Sequence, residues 1–148
     1  MSSESRLVFD TSTLVGAVLR SRSVPALALT TAWEVAELIV SADTLAELRQ
    51  VLSRARLDGY REPAQRRAFL AHYEAMTRRV EDIQAVAACR DPQDDKFLAL
   101  ALSGGAQAIV SSDDDLLCMG VFQGVHILRP RQFLERVFMG RARGNEPA

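Results

Sequence analysis

Short, uninterrupted apolar runs alternating with amphipathic segments constrain this chain more than any other feature. Leu7-Val8-Phe9 predicts a strand, and Thr13 to Arg22 a helix with Leu14, Val18 and Leu19 on one side. Pro25 can open a second helix over Ala26 to Ala32, and Val35 to Val40 is the next strand, interrupted only by Glu37. Ser41 or Asp43 can cap a helix from Ala42 to about Ala55, striped by Leu45, Leu48, Leu52 and Ala55. Asp58-Gly59 breaks the pattern. Pro63 to Arg79 then predicts a helix that buries Phe69, Tyr73 and Met76, followed by a weak strand around Val80 to Ala87. Asp91-Pro92 starts a helix that runs to Gly104-Gly105. Ala108-Ile109-Val110, a short helix from Asp114, a strand Val125 to Leu128 and a helix Pro130 to Phe138 complete the series. Apolar strands of this kind belong in a parallel sheet covered on both faces, an α/β fold. The length of 148 residues suits one domain, with a core over about residues 6–138 and a flexible polar tail over 139–148.

The composition, 48% hydrophobic and 25% charged, sets aside a disordered or low-complexity chain. Cys89 and Cys118 stand far apart without a C-x-x-C, which indicates neither a disulfide framework nor a thiolate zinc site, and both are expected to be small buried residues. No signal pattern opens the chain, and no apolar run approaches the roughly 18 residues that a membrane span needs. A soluble protein of the reduced cytoplasm is therefore expected, with no membrane partner. The net charge of -1 argues, at face value, against a polyanion-binding protein. Lys96 is the only lysine among the 18 Lys and Arg residues.

Ligands of a parallel sheet bind beyond the carboxyl ends of its strands, and acids gather there. Asp10 closes the first strand, and Asp113 follows Ala108 to Val110 within a few residues. Asp94 lies in the first turn of its helix on the meridian of Ala101, opposite Lys96 and Ser103, so it points inward. Asp95, about 100° round, is less committed. Glu47 sits about 40° outside the apolar arc of its helix, close enough to the sheet edge to be partly buried. Each acid has a plain structural role open to it. Asp10, Asp94 together with Asp91, and Asp113 can cap helices, and Glu47 can be a solvated residue near Arg54. Together, however, four carboxylates converging on one cleft repel strongly unless a cation lies between them. An all-oxygen site favours Mg²⁺ or Mn²⁺ over zinc. Two such ions can hold a phosphodiester, generate hydroxide and stabilise the leaving oxygen.

Four segments in order then carry a family resemblance. Leu7 to Ser12, Ser41 to Arg54, Asp91-Pro92-Gln93-Asp94-Asp95-Lys96-Phe97-Leu98-Ala99-Leu100-Ala101 and Ile109 to Leu117 resemble the PIN-domain family. The branch that looks most similar comprises the toxins of type II toxin-antitoxin pairs, over about Leu7 to Leu134. The resemblance implies a three-layer α/β/α sandwich with a central parallel sheet of about five strands, and Mg²⁺- or Mn²⁺-dependent cleavage of single-stranded RNA. It implies that Asp10, Glu47, Asp94 and Asp113 hold the metal, with Asp115 a further ligand, and that a cognate antitoxin and a homodimer are expected. Asp95, Ser111 and Ser112 are supporting residues, a small hydroxyl often positioning the last aspartate. Ser12 stands where the family usually has asparagine, so the hydrogen bonding that orients Asp10 differs.

Arg49, Arg54, Arg56, Arg61, Arg66, Arg67, Arg78 and Arg79 form the longest basic stretch. Each can be an ordinary solvated residue. As a group, and Arg49, Arg54, Arg56, Arg66 and Arg67 above all, they can line a track for an RNA backbone or dock an acidic partner. The charge of -1 then averages an acidic cluster against an arginine-rich stretch and does not exclude RNA. His72, His126, Trp33, Phe122, Phe133 and Phe138 are read as packing or surface residues. The rival function is a PIN-fold module that is catalytically weak or inactive and acts by binding RNA or protein, with Ser12 as its motive. Phosphotransfer through an aspartyl-phosphate is weaker, because Asp10-Thr11-Ser12-Thr13 lacks the second aspartate two residues on.

Overall fold

The computed structural model describes residues 5–144. Five strands run parallel: β1 (Arg6–Phe9), β2 (Glu37–Val40), β3 (Arg78–Arg79), β4 (Ala108–Val110) and, after the two-residue β5 (Val121–Phe122), β6 (Val125–Leu128). Their order in the sheet is β3-β2-β1-β4-β6-β5, and β5 pairs antiparallel with β6. The sheet thus has the five expected parallel strands plus a short antiparallel edge strand, formed where Val121 and Phe122 fold back on β6 through Gln123 and Gly124, both at positive φ.

Helices cover both faces. Successive residues of a strand point to opposite sides. Leu7 and Phe9 of β1, with Leu38 and Val40 of β2, pack against α1 (Thr11–Leu19), α2 (Val24–Val35), α3 (Ala42–Leu52), α4 (Pro63–Met76) and α7 (Pro130–Gly144). Val8 and Ile39, with Ile109 and Ile127, face α5 (Asp95–Gly104) and the one-turn α6 (Asp114–Leu117). Gly105 ends α5 in the left-handed conformation that a side chain disfavours, as its place after Gly104 suggests.

Several boundaries differ from the sequence expectation. The helix after Pro25 continues to Val35, so β2 begins only at Glu37, and α3 stops at Leu52 rather than near Ala55. α4 ends at Met76, where Thr77 turns its hydroxyl back to the Tyr73 carbonyl at 2.8 Å. The third strand is therefore Arg78–Arg79 and not Val80 to Ala87. Tyr73 is buried, whereas Met76, expected in the core, is 52% exposed. Cys118 is exposed as well. The last helix runs through Gly144 instead of stopping at Phe138, so the expected tail is helical over residues 139–144, and residues 145–148 lie outside the described residues. No helix among the described residues is long and apolar enough to cross a membrane.

Candidate metal centre

The carboxyl ends of β1 and β4 are adjacent, because Phe9 pairs with Val110, and this register brings the residues that follow them together. Asp10 is 2% exposed. Its Oδ1 accepts the Thr13 amide at 2.9 Å, so it caps α1, while its Oδ2 accepts the Ser111 hydroxyl at 2.5 Å. The Ser12 hydroxyl lies 3.2 Å from both oxygens. Ser111 also accepts the Asp113 amide at 3.0 Å and so links the two aspartates, whereas Ser112 contacts Thr13 at 3.0 Å. Asp113 caps α6 through the Asp115 amide. Capping thus accounts for one oxygen of each of these acids and leaves further lone pairs for a ligand.

Asp94 has no such explanation. It precedes α5 without making a side-chain cap bond, is 7% exposed, and its Oδ2 is buried with no hydrogen-bond partner. An unpartnered buried carboxylate oxygen is costly unless a cation or proton completes it. Asp10, Glu47, Asp94 and Asp113 line one cleft of about 400 Å³, together with Thr11, Ser12, Arg54 and Arg56. Asp94 also belongs to a set with Asp91 and Asp115, whose ligand oxygens all lie within 4.8 Å of one another. The sequence suggests only a capping role for Asp91, which it also has, through the Gln93 amide at 2.9 Å. The missed signal is its spacing: Asp91 and Asp94 bracket a 3₁₀ turn (Pro92–Asp94), in which residues three apart share a face. The donor set is all oxygen, and with the orphaned Asp94 oxygen it fits a hard divalent cation.

Glu47 is half-buried, its Oε2 accepting the Thr11 hydroxyl at 2.6 Å and its Oε1 lying 3.3 Å from Lys96 Nζ. Lys96 is therefore not the solvent-facing marker that the helical wheel suggests. Asp95 does not join the acids either: it accepts the Ala88 and Cys89 amides at 3.0 and 2.8 Å and fixes the loop ahead of α5, bonds that lower its pKa. The Cys89 thiol is pushed up to about 12 by burial and by Asp95. Of the arginines, Arg54 and Arg56 are exposed at the cleft rim, Arg67 is exposed, and Arg49 is engaged with Glu74. Arg66 is 2% exposed, which removes it from any RNA track.

Two of the acids, Asp10 and Asp94, have raised pKa values. Burial lifts Asp10 above the usual carboxylate range despite its hydrogen bonds from Ser111, Thr13 and Ser12. Burial, a hydrogen bond with Asp113 and the charges of Asp113, Asp91 and Asp10 push Asp94 up to about 7. A carboxyl whose pKa is raised on folding binds its proton more tightly in the folded state, so its stabilising contribution is complete below the unfolded value of about 3.9. That contribution is lost as pH rises through about 7. Without divalent ions the thermal midpoint should therefore fall between pH 6 and pH 8. With Mn²⁺ present the fall should be offset, since a cation competes with the proton. A metal-free midpoint that is flat across this window would contradict the arrangement.

A family model described as a PIN domain matches residues 6–115. The chain belongs to the PIN-domain family. PIN domains are generally nucleases. No curated protein matches the sequence. Among solved structures, the PIN fold of this chain is similar to VapBC2 of Rickettsia felis bound to a DNA fragment from its promoter (TM-score 0.59, 12% identity, 84% of this chain and 98% of that one). It is also similar to VapC20 of Mycobacterium tuberculosis, a sarcin-ricin-loop-cleaving toxin (TM-score 0.53, 16% identity, 81% and 98%). At these identities the likeness speaks for the fold alone.

Proposed function

We propose that this PIN domain is a Mg²⁺- or Mn²⁺-dependent endoribonuclease that hydrolyses single-stranded RNA, and that it is the toxin of a toxin-antitoxin pair, cytoplasmic and homodimeric. The observation that carries the reading is the buried, unpartnered Oδ2 of Asp94, in a cleft shared with Asp10, Glu47 and Asp113. The similarity to a VapBC complex and to a VapC toxin that cleaves the sarcin-ricin loop supports the choice of RNA and of an antitoxin partner.

In this reading Asp10, Asp94 and Asp113 hold the ion, with Asp115 beside Asp94 and Glu47 at the edge of the cleft. A bound divalent ion supplies a polarised water and screens the phosphate charge. Ser111 keeps Asp10 and Asp113 in register, and Ser12 supports Asp10 in place of the usual asparagine. Its hydroxyl reaches both carboxylate oxygens, which weakens the case for an inactive module. Arg54 and Arg56 meet the RNA backbone where it enters the cleft.

The test is incubation of the purified chain with labelled single-stranded RNA in Mg²⁺, Mn²⁺ or EDTA. Metal-dependent internal cleavage is expected. Tight RNA binding without cleavage would instead favour the binding module. Each arginine that neutralises a phosphate of a single strand contributes about 0.7 to the salt dependence of binding. R54A/R56A should accordingly reduce the log–log salt slope for an uncleavable 2′-O-methyl oligonucleotide by roughly 1.4. An unchanged slope would remove these two from the track.

A further inference from the structure

Lys96 is the only lysine of the chain, and its ammonium is not free. Lys96 lines a groove of about 400 Å³ together with Ser41, Asp43, Ile83 and Asp95, and is not among the residues that line the acid cleft. From there Nζ reaches Glu47 at 3.3 Å, with the two side chains only 19% and 24% exposed. Of the described ion pairs, only the pair that Arg66 makes has a more deeply buried cation. The second oxygen of Glu47 is taken by Thr11 at 2.6 Å. Both oxygens of this carboxylate are thus engaged before any ion arrives, unlike Asp94, which offers a bare one. Of the four acids that line the cleft, only Asp94 belongs to the set whose ligand atoms cluster within 4.8 Å; Glu47 lies outside it, as do Asp10 and Asp113. Asp43 lines the same groove but is exposed, and Asp95 is committed to the backbone of Ala88 and Cys89, which leaves Glu47 as the ion-pair partner of Lys96.

We propose that Lys96 is the fixed second cation of the cleft: by neutralising Glu47 from behind, it restricts the site to one divalent ion, held by Asp94 with its neighbours. The inference rests on the metal-dependent reading above and goes beyond it, since the acids alone are equally compatible with two ions. A close ammonium disfavours a second divalent ion at Glu47, because like charges in a partly desolvated cleft repel more strongly than in water. Lys96 is then a positioning residue. It holds the Glu47 carboxylate against Thr11 and sets the charge of the site without touching the substrate.

The experiment is titration of the full chain with Mn²⁺, following free ion by electron paramagnetic resonance. One Mn²⁺ per chain is expected for the wild type and for K96R, which keeps the charge. K96M should take up two. Thermal unfolding of each variant in EDTA checks that it is folded, and K96Q, a second substitution that removes the charge and should also take up two, keeps the test decisive should K96M fail to fold. Two ions of similar affinity in the wild type would overturn the proposal, as would an unchanged count in folded K96M or K96Q. Binding of no ion by the wild type would overturn the metal-dependent function itself and this inference with it, a result distinct from a count of two.

Discussion

Asp94→Asn should abolish metal-dependent RNA cleavage and at the same time make the metal-free protein more stable. The two effects share one cause. Asp94 sits 7% exposed among Asp10, Asp91 and Asp113, with an oxygen that no protein group satisfies. Such a group is retained at a cost to the fold when it has another use. Asparagine preserves the shape and removes the charge, so the repulsion that raises the pKa of Asp94 disappears. The ion, however, loses the carboxylate best placed to bind it. Several kcal/mol of transition-state stabilisation go with a catalytic metal, which corresponds to a rate loss of roughly 10³-fold. A variant that folds, unfolds at the wild-type temperature in EDTA and still cleaves would show that Asp94 is an ordinary helix-terminal residue.

Arg66→Ala should be the most destabilising single truncation among the arginines. Its side chain is buried, with Nε on the Leu52 carbonyl at 2.7 Å, Nη1 on the Arg61 carbonyl at 2.5 Å, and Nη2 on Asp58 at 2.8 Å and on the Arg54 carbonyl at 3.4 Å. The guanidinium thereby ties the end of α3 and the turn after it to α4. Truncation strands these acceptors, at about 3 kcal/mol, or roughly 9 °C in midpoint for a domain of this size. Lysine should rescue little, because a point charge cannot satisfy acceptors arrayed around a planar fork. Since Arg54 and Arg56 lie on the tethered segment, RNA binding should weaken too, through loss of order rather than loss of a phosphate contact. A midpoint within 1 °C of wild type would contradict this anchoring role.

Arg66 also shows where the sequence stops being legible. In a run of eight arginines nothing local distinguishes the buried one, because its burial is decided by carbonyls contributed from Leu52 to Arg61. The strands β1, β4 and β6 were readable because burial on both faces leaves three or four apolar residues in succession. β3 was not: an exposed edge strand of two arginines carries no hydrophobic pattern. The acids at Asp10, Asp94 and Asp113 were readable from their places at strand and helix ends. Their division of labour was not, since capping by Asp10 and Asp113, the cap-plus-cluster role of Asp91 and the capture of Asp95 by the preceding loop depend on backbone amides positioned by the whole fold. The Lys96–Glu47 pair joins α5 to α3 and has no local signature either.

Whether the acid cleft is a divalent-metal site is decided by the thermal midpoint of the wild-type chain with and without millimolar Mn²⁺ at pH 7.5. A ligand that binds only the folded state at 100 times its dissociation constant stabilises by about 2.7 kcal/mol, or roughly 8 °C here. A rise of that order is expected in the wild type and none in Asp94→Asn. Equal midpoints for the wild type with and without the ion would contradict the metal site.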